Sequence, residues 1–261
     1  MSEICRHEMK GRALIIWNCN PRQRNPLSPE YYQGVLDGLR RAASEPGIAA
    51  VILAGEGGFF CSGGNLNMLK QRREMGFEER QEQIEKLSDM IRAVRECRKP
   101  VIAAVEGGAA GAGLSLAMAC DMIVAGQGAQ FTLAYVKAGL VPDGGATYAL
   151  TQALPRATVA RMAMLGARLD AERMYQLGAI TDLVEPGEVL NKARELAEAI
   201  GNGPEQAIAD IKTLLNDAEI AGFEEQLTNE RDAMANALGG DEAQIGIGAF
   251  LNKQRPVFRK G

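Results

Sequence analysis

Apolar residues in the first half of the chain fall in short runs: ALIIW (13–17), AAVILAG (49–55), VIAAV (101–105) and MIVAG (122–126). Runs of this length, bounded by polar or small residues, predict buried strands. Between them the pattern changes to a helical period. SPEYYQGVLDGLRRAAS opens with Ser28 as a predicted N-cap and Pro29 at the first helical position. QEQIEKLSDMIRAVREC places Ile84, Leu87, Met90, Ile91 and Val94 on one helix face. Strands alternating with helices predict an α/β sheet with right-handed crossovers.

Past Thr147 helical segments dominate, from about 156 to 251, with starts at Asp170 and at Gly203-Pro204 and few strand signals. The expected organisation is an α/β core over residues 1–195 and a helical C-terminal portion over 196–261. The sequence contains no internal repeat, low-complexity segment or long linker.

Composition narrows the function by exclusion. A net charge of −4 gives no support for a nucleic-acid partner. No apolar run approaches the roughly 18 residues of a membrane span. The N-terminal MSEICRHEMKGR has no apolar signal core, so a cytoplasmic location is expected. The five cysteines, at 5, 19, 61, 97 and 120, are scattered without a C-x-x-C, which argues against a disulfide framework or a zinc site. The single histidine, His7, lies in a polar segment and reads as a solvated residue. That count excludes metal ligation by a histidine cluster and leaves Ser-His or Cys-His chemistry without another candidate base.

Two glycine clusters carry candidate chemistry. EGGAAGAGLSLAMACD (106–121) runs from a predicted strand into a helix beginning near Ala112. It is not a dinucleotide fingerprint, because Leu116 stands where G-x-G-x-x-G needs its third glycine, and it lacks the G-K-[ST] of a P-loop. The first amides of a helix have no internal partner and sit at the positive end of its dipole. Small residues there let a ligand oxygen approach the backbone, whether a phosphate or a developing oxyanion. The second cluster, GEGGFFCSGGNL (55–66), also follows a strand. Two amides could thus converge on one oxygen; close helix–strand packing explains each cluster equally.

FFCSGGNL, followed about fifty residues later by GGAAGAGLSLAMACD, strongly resembles the paired motifs of the enoyl-CoA hydratase/isomerase (crotonase) family. The likeness extends over nearly the whole chain. NPRQRNPLS (20–28) resembles the family's CoA-contacting loop, GLVPDGG (139–145) its active-site turn and IGIGAFLNKQRPVF (245–258) its closing segment. The resemblance implies an α/β fold, a crotonase-type spiral of ββα repeats with a helical C-terminal trimerisation region. It also implies a homotrimer or dimer of trimers. The substrate it implies is an acyl-CoA thioester, with coenzyme A as part of the substrate and neither a tightly bound cofactor nor a metal. Matched position by position, the N–H groups of Gly64 and Ala112 hold the thioester carbonyl; relatives commonly have glycine at the latter position, and alanine supplies the same amide. Arg24, Asn25, Leu27, Cys61, Ser62 and Leu66 line the CoA and pantetheine path. Phe250 and Lys253 reach CoA across a subunit boundary, although Lys253 is explained equally well as a solvated cation.

The family's hydratases set two glutamates around one water, and those positions match Ser115 and Tyr135. Adding water needs one group to activate it and one to protonate carbon, and serine and tyrosine are poor at both near neutral pH. The acid left in an active-site motif is Asp143. On its residues alone, Pro-Asp-Gly-Gly is favourable turn chemistry, and Asp143 could cap a helix starting near Gly144. In the family, however, several isomerases carry their single catalytic acid in this turn. The stretch FTLAYVKAGLVPDGGATYALTQALPRATVARMAMLGARL resembles that single-aspartate branch, ring-epoxide isomerases included.

The expected reaction is therefore a double-bond shift, or rearrangement of a ring-bearing acyl-CoA, through a thioester enolate. The alternatives are an enoyl-CoA hydratase of broad or weak activity, and an acyl-CoA hydrolase or dehalogenase using Asp143 as nucleophile. A non-catalytic acyl-CoA- or RNA-binding member is the remaining class. Tyr135 either orients the aspartate or fills the core. Cys61 and Ser115 read as packing, Glu106 as a strand-end carboxylate, and Glu78, Glu79 and Glu82 as a solvated helix face.

Overall fold

β1 (Cys5–Lys10) and β2 (Ala13–Asn18) form an antiparallel hairpin turning at Gly11, whose φ of 58° suits a residue without Cβ. The computed structural model describes residues 4–258. After β2 the chain enters α1 (Pro29–Ser44), with the Ser28 side chain accepting from Tyr31 N–H as its N-cap. β3 (Ala50–Gly55), β4 (Val101–Val105) and β6 (Met122–Gly126) then add in parallel, followed at the edge by β9 (Asp182–Val184). The six-stranded order is β1-β2-β3-β4-β6-β9. Between β3 and β4 lie α2 (Leu66–Arg72) and α3 (Phe77–Glu96). A smaller sheet of three strands combines β5 (Gly108–Ala110), β7 (Gln130–Thr132) and β8 (Arg168–Asp170).

Side-chain alternation explains the layering. Leu14, Ile16, Val51, Leu53, Val101 and Ala103 face one side of the main sheet and pack with α1 and α3 through Tyr31, Val35, Leu87 and Met90. Ala13, Ile15, Ala50, Ile52, Ile102 and Ala104 face the other, where α8 (Val189–Gly201) lies across them with Val189, Ala193 and Ala197. Alanines on both partners let this helix approach closely. α8 runs through residue 195, the expected end of the core, and its contacts with the sheet continue to Ala197.

α4 (Ala112–Met118) leads out of the small sheet, and α5 (Ala146–Ala153), α6 (Arg156–Leu165) and α7 (Ala171–Gln176) complete this half. As expected, Asp170 caps α7, accepting from Arg173 N–H at 2.7 Å. The C-terminal part is helical: α9 (Glu205–Ala218), α10 (Phe223–Leu238) and α11 (Asp241–Leu251). Lys212, buried on α9, donates to Asp121 Oδ2 at 2.7 Å and to the Val94 carbonyl at 3.0 Å, fastening this region to the core.

Two expectations change. Ile84 is 42% exposed, because the first turns of α3, starting at the exposed Phe77, extend past the core that buries Leu87, Met90, Ile91 and Val94. His7 is not freely solvated: it sits half-buried in β1, and its Nε2 lies 2.8 Å from the Gly34 carbonyl, to which it donates.

Candidate active site

Three loops leave the carboxyl ends of β2, β3 and β4 and run side by side. In the first, Arg24 and Asn25 adopt left-handed φ of 57° and 55°, a region asparagine tolerates better than most residues. Asn25 is fully buried, and its amide is spent on backbone: it donates to the Glu56 carbonyl at 2.8 Å and the Phe59 carbonyl at 2.6 Å, and accepts from Asn20 N–H at 2.9 Å. It ties the first loop to the second. Ser62 N–H to the Arg24 carbonyl (2.9 Å) and Leu27 N–H to the Gly63 carbonyl (2.8 Å) continue the pairing. Ala110 N–H to the Cys61 carbonyl, at 2.9 Å, brings in the third loop.

This arrangement brings the two glycine clusters together. A Cβ on Gly63 would lie 2.5 Å from the Ala110 carbonyl oxygen and 3.2 Å from Ala112 N, so only glycine lets the segments meet. Gly111, at φ 52° and ψ −129°, turns the chain into α4, and its own N–H is spent on the Thr132 carbonyl at 2.9 Å. Among the described residues, neither Gly64 N–H nor Ala112 N–H has an acceptor. Two unspent amides on touching segments, one opening a helix, are suited to an anionic oxygen.

The turn after β7 supplies the carboxylate. A short 3₁₀ segment, Ala134–Ala138, holds Tyr135, and α5 begins at Ala146 with Gly145 as its N-cap residue. The helix-cap reading of Asp143 is therefore corrected: its side chain makes no cap. Instead Tyr135 Oη donates to Asp143 Oδ1 at 2.7 Å. Ser115 Oγ, from α4, donates to the Asp143 backbone carbonyl at 2.9 Å and lies 3.4 Å from Tyr135 Oη. The tyrosine ring also passes close to Gly111, whose Cβ position is 3.8 Å from the ring's Cζ. One side chain thus spans from the residue before the Ala112 amide to the carboxylate.

Burial pushes the Asp143 carboxyl up from its ordinary value, opposed by the Tyr135 hydrogen bond and the positive charge of Arg72. Burial, then the Asp143 charge, pushes the Tyr135 phenol up, so it stays protonated and donates. Arg72 and Tyr32 were not expected here. Tyr32, buried on α1, has its phenol pushed up to about 12 by burial, opposed by the positive charge of Arg72. Nothing in KQRR (70–73) distinguishes the arginine that turns inward; Lys70 and Arg73 are exposed.

The remaining candidates separate by exposure. Cys61 is buried, its thiol pushed up to about 12 by burial, which removes it as a nucleophile. Leu27 is buried as well. Arg24 stacks over the Phe59 ring at 5.5 Å, and Ser62 Oγ donates to the Gln23 carbonyl at 3.2 Å. Leu66, Phe250 and Lys253 are exposed, the last two far along the chain at the end of α11 and beyond it. Glu106 faces away from the carboxylate site, accepting from Gly187 N–H at 3.0 Å, and Glu78, Glu79 and Glu82 are solvated.

The sequence profile of the enoyl-CoA hydratase/isomerase family matches residues 12–261. The chain belongs to that family. It is an enzyme of the family, acting on acyl-CoA, and its fold is the crotonase fold. A crystal structure of an enoyl-CoA hydratase from Polaromonas sp. JS666 superposes with a TM-score of 0.94 at 40% identity, covering 98% of this chain and 99% of that one. The 1,2-epoxyphenylacetyl-CoA isomerase of Escherichia coli K12 is 31% identical over 259 residues, 99% of this chain and 98% of its own. The 2,3-dehydroadipyl-CoA hydratase of the same organism is 28% identical over 249 residues, 95% of each chain. Similar proteins thus include both isomerases and hydratases.

Proposed function

We propose that this enzyme is an acyl-CoA isomerase with one base, Asp143, and an oxyanion hole made by the N–H groups of Gly64 and Ala112. The observation that carries this reading is the Asp143 carboxylate itself, oriented by Tyr135 at 2.7 Å, while Ser115 and Tyr135 occupy the positions matched to the hydratase glutamates. The ionised carboxylate removes a proton from the carbon next to the thioester carbonyl, and the electron pair moves onto the carbonyl oxygen. The two amides hold that enolate oxygen; losing one such donor typically costs about 100- to 1000-fold in rate. Asp143 then returns the same proton to a carbon further along the conjugated system, the electrons flow back, and the double bond has moved. No water is consumed, so no second acid is needed. A carboxyl raised by burial is a stronger base once ionised, which suits this task.

The CoA moiety lies along the paired loops in this reading, with Arg24, Ser62 and Leu66 facing it and Asn25, Leu27 and Cys61 fixing the path behind. The exposed apolar side chains of the last helices, among them Leu215, Phe223, Leu227, Met234, Leu238 and Ile247, support packing against further copies as a homotrimer or dimer of trimers. Phe250 and Lys253 would reach the CoA of a neighbouring copy there. The cytoplasm is the compartment proposed.

Incubating the enzyme in D₂O with 3-enoyl-CoA, 2-enoyl-CoA and an aryl-acetyl-type CoA thioester tests the reaction. Deuterium uptake with a migrated double bond, lost in Asp143→Asn, is the expected result. A 3-hydroxyacyl-CoA product would make the enzyme a hydratase, and free CoA a hydrolase.

A further inference from the structure

A cleft of about 540 Å³ opens between the first two loops and the small sheet, with Arg24, Gly57, Gly58, Phe59, Thr132 and Arg168 among its walls. Its shape comes from close approaches between segments. A Cβ on Gly57 would lie 2.4 Å from the Pro21 side chain, and one on Gly107 would lie 2.3 Å from the Gly58 carbonyl oxygen, so glycine is required where the loops meet. Thr132 and Arg168 stand at paired positions on β7 and β8, which brings an arginine from beyond α6 to the loop that carries Arg24.

The polar groups of this cleft are unspent. Arg24 stacks over the Phe59 ring at 5.5 Å, but neither its guanidinium nor that of Arg168 has an ion pair or hydrogen bond among the described residues. Elsewhere on the surface Arg6, Arg41 and Arg98 each pair with a carboxylate. The Thr132 hydroxyl oxygen is buried and has no hydrogen-bond partner. The N–H groups of Gly57, Gly58 and Phe59 also lack an acceptor among the described residues. No carboxylate is among the described residues that line the cleft.

Two guanidiniums on one cleft repel each other until an anion lies between them. A neutral ligand would leave their charge and the buried hydroxyl unanswered. The volume is that of a small-molecule site and exceeds what a single small ion fills. A diphosphate meets these conditions together. It carries two charged groups, with oxygens to receive the guanidinium forks, the hydroxyl and the backbone N–H groups. Pro21 and Phe59 then give an apolar wall to whatever organic group it bears.

We infer that this cleft binds a diphosphate group, either the one within the CoA chain or that of a separate phosphorylated metabolite. The inference shares Arg24 with the CoA path proposed above and is independent of the chemistry of Asp143.

Titration calorimetry with inorganic pyrophosphate tests it on the wild type, Arg168→Gln and Thr132→Val. Wild-type binding is expected, weakening about 10- to 100-fold in Arg168→Gln, the value of one charge-assisted hydrogen bond or two. Thr132→Val should also weaken it while leaving the melting temperature of the free enzyme unchanged or raised, because a buried hydroxyl without a partner does not stabilise the fold. No pyrophosphate binding to the wild type would overturn the inference, as would binding that Arg168→Gln leaves unchanged. Repeating the titration with CoA at saturation identifies the source. If CoA displaces pyrophosphate and Arg168→Gln weakens CoA itself, the diphosphate is the substrate's own. If pyrophosphate still binds the CoA-loaded enzyme, the cleft serves a separate ligand. If pyrophosphate binds and CoA does not, the cleft stands and the CoA path proposed above falls.

Discussion

Tyr135 Oη donates to Asp143 Oδ1 at 2.7 Å, and no other side chain among the described residues hydrogen-bonds that carboxylate. The contact fixes one oxygen of the carboxylate. It also sets the carboxyl's proton affinity, because it favours the ionised form against the burial that disfavours it.

Replacing Tyr135 by phenylalanine removes that hydrogen bond while keeping the ring against Gly111. Burial then acts with only the Arg72 charge and a backbone hydrogen bond opposing it, so the Asp143 carboxyl rises further. The base works ionised, and activity is gained as pH rises through its pKa. The acid-side inflection of kcat/KM should therefore move to higher pH, with the loss largest below neutrality and recovering above it. A pH–rate profile of the two enzymes checks this; an inflection that stays in place would remove Tyr135 from the role.

Asp143→Asn should reduce turnover by about 100- to 10,000-fold, the usual range for a positioned base. The same change should not lower stability near neutral pH. A carboxyl whose folded pKa is raised destabilises the fold when ionised, so the amide relieves a cost that is present above the unfolded pKa. That advantage should vanish as pH falls toward about 4, where the unfolded carboxyl also takes up its proton. Thermal melts of both proteins across pH 4 to 8 read the difference.

Gly113→Ala should damage the oxyanion hole without touching a catalytic group. The new Cβ would sit 2.6 Å from the Cys61 carbonyl oxygen and 2.7 Å from its Sγ, and the carbonyl belongs to the paired backbone that carries Gly64. Overpacking of this kind costs about 1–3 kcal/mol. Melting temperature and kcat should both fall, and adding Cys61→Ala should restore them in part only, since the carbonyl remains.

Lys212→Met breaks the attachment of α9 to the core. It leaves Asp121, which burial already pushes up and which Lys212 restrains, without its cation. Lys212 is buried but Asp121 is partly exposed, so the loss should stay below the roughly 3–5 kcal/mol of a fully buried pair. A drop in melting temperature is expected, with the melt at low pH less affected because protonated Asp121 no longer needs the lysine.

Much of the scaffold was readable before any coordinates. Ser28 and Asp170 cap the helices they were expected to start, and the four short apolar runs are strands, because local hydrogen bonding and hydrophobic period act over a few residues. The strands β5, β7, β8 and β9 have three residues each, too short to show a period, and their pairing partners define them instead. Asp143 was ambiguous for a related reason: Pro-Asp-Gly-Gly suits a turn in any protein, and its meaning depends on what faces the carboxylate.

By itself the sequence determined the family, the alternation of strand and helix, and the glycines at which backbone can approach backbone, since these are properties of neighbouring residues. Only the tertiary structure decided that Gly63 lies against Ala112, that Asn25 is spent on carbonyls, and that Arg72 rather than Arg73 is partly withdrawn from solvent. Those relationships join segments distant in the chain. They arise when the sheet's strand order brings its loops to one edge, and burial there changes the charge and hydrogen bonding of groups that look ordinary in isolation.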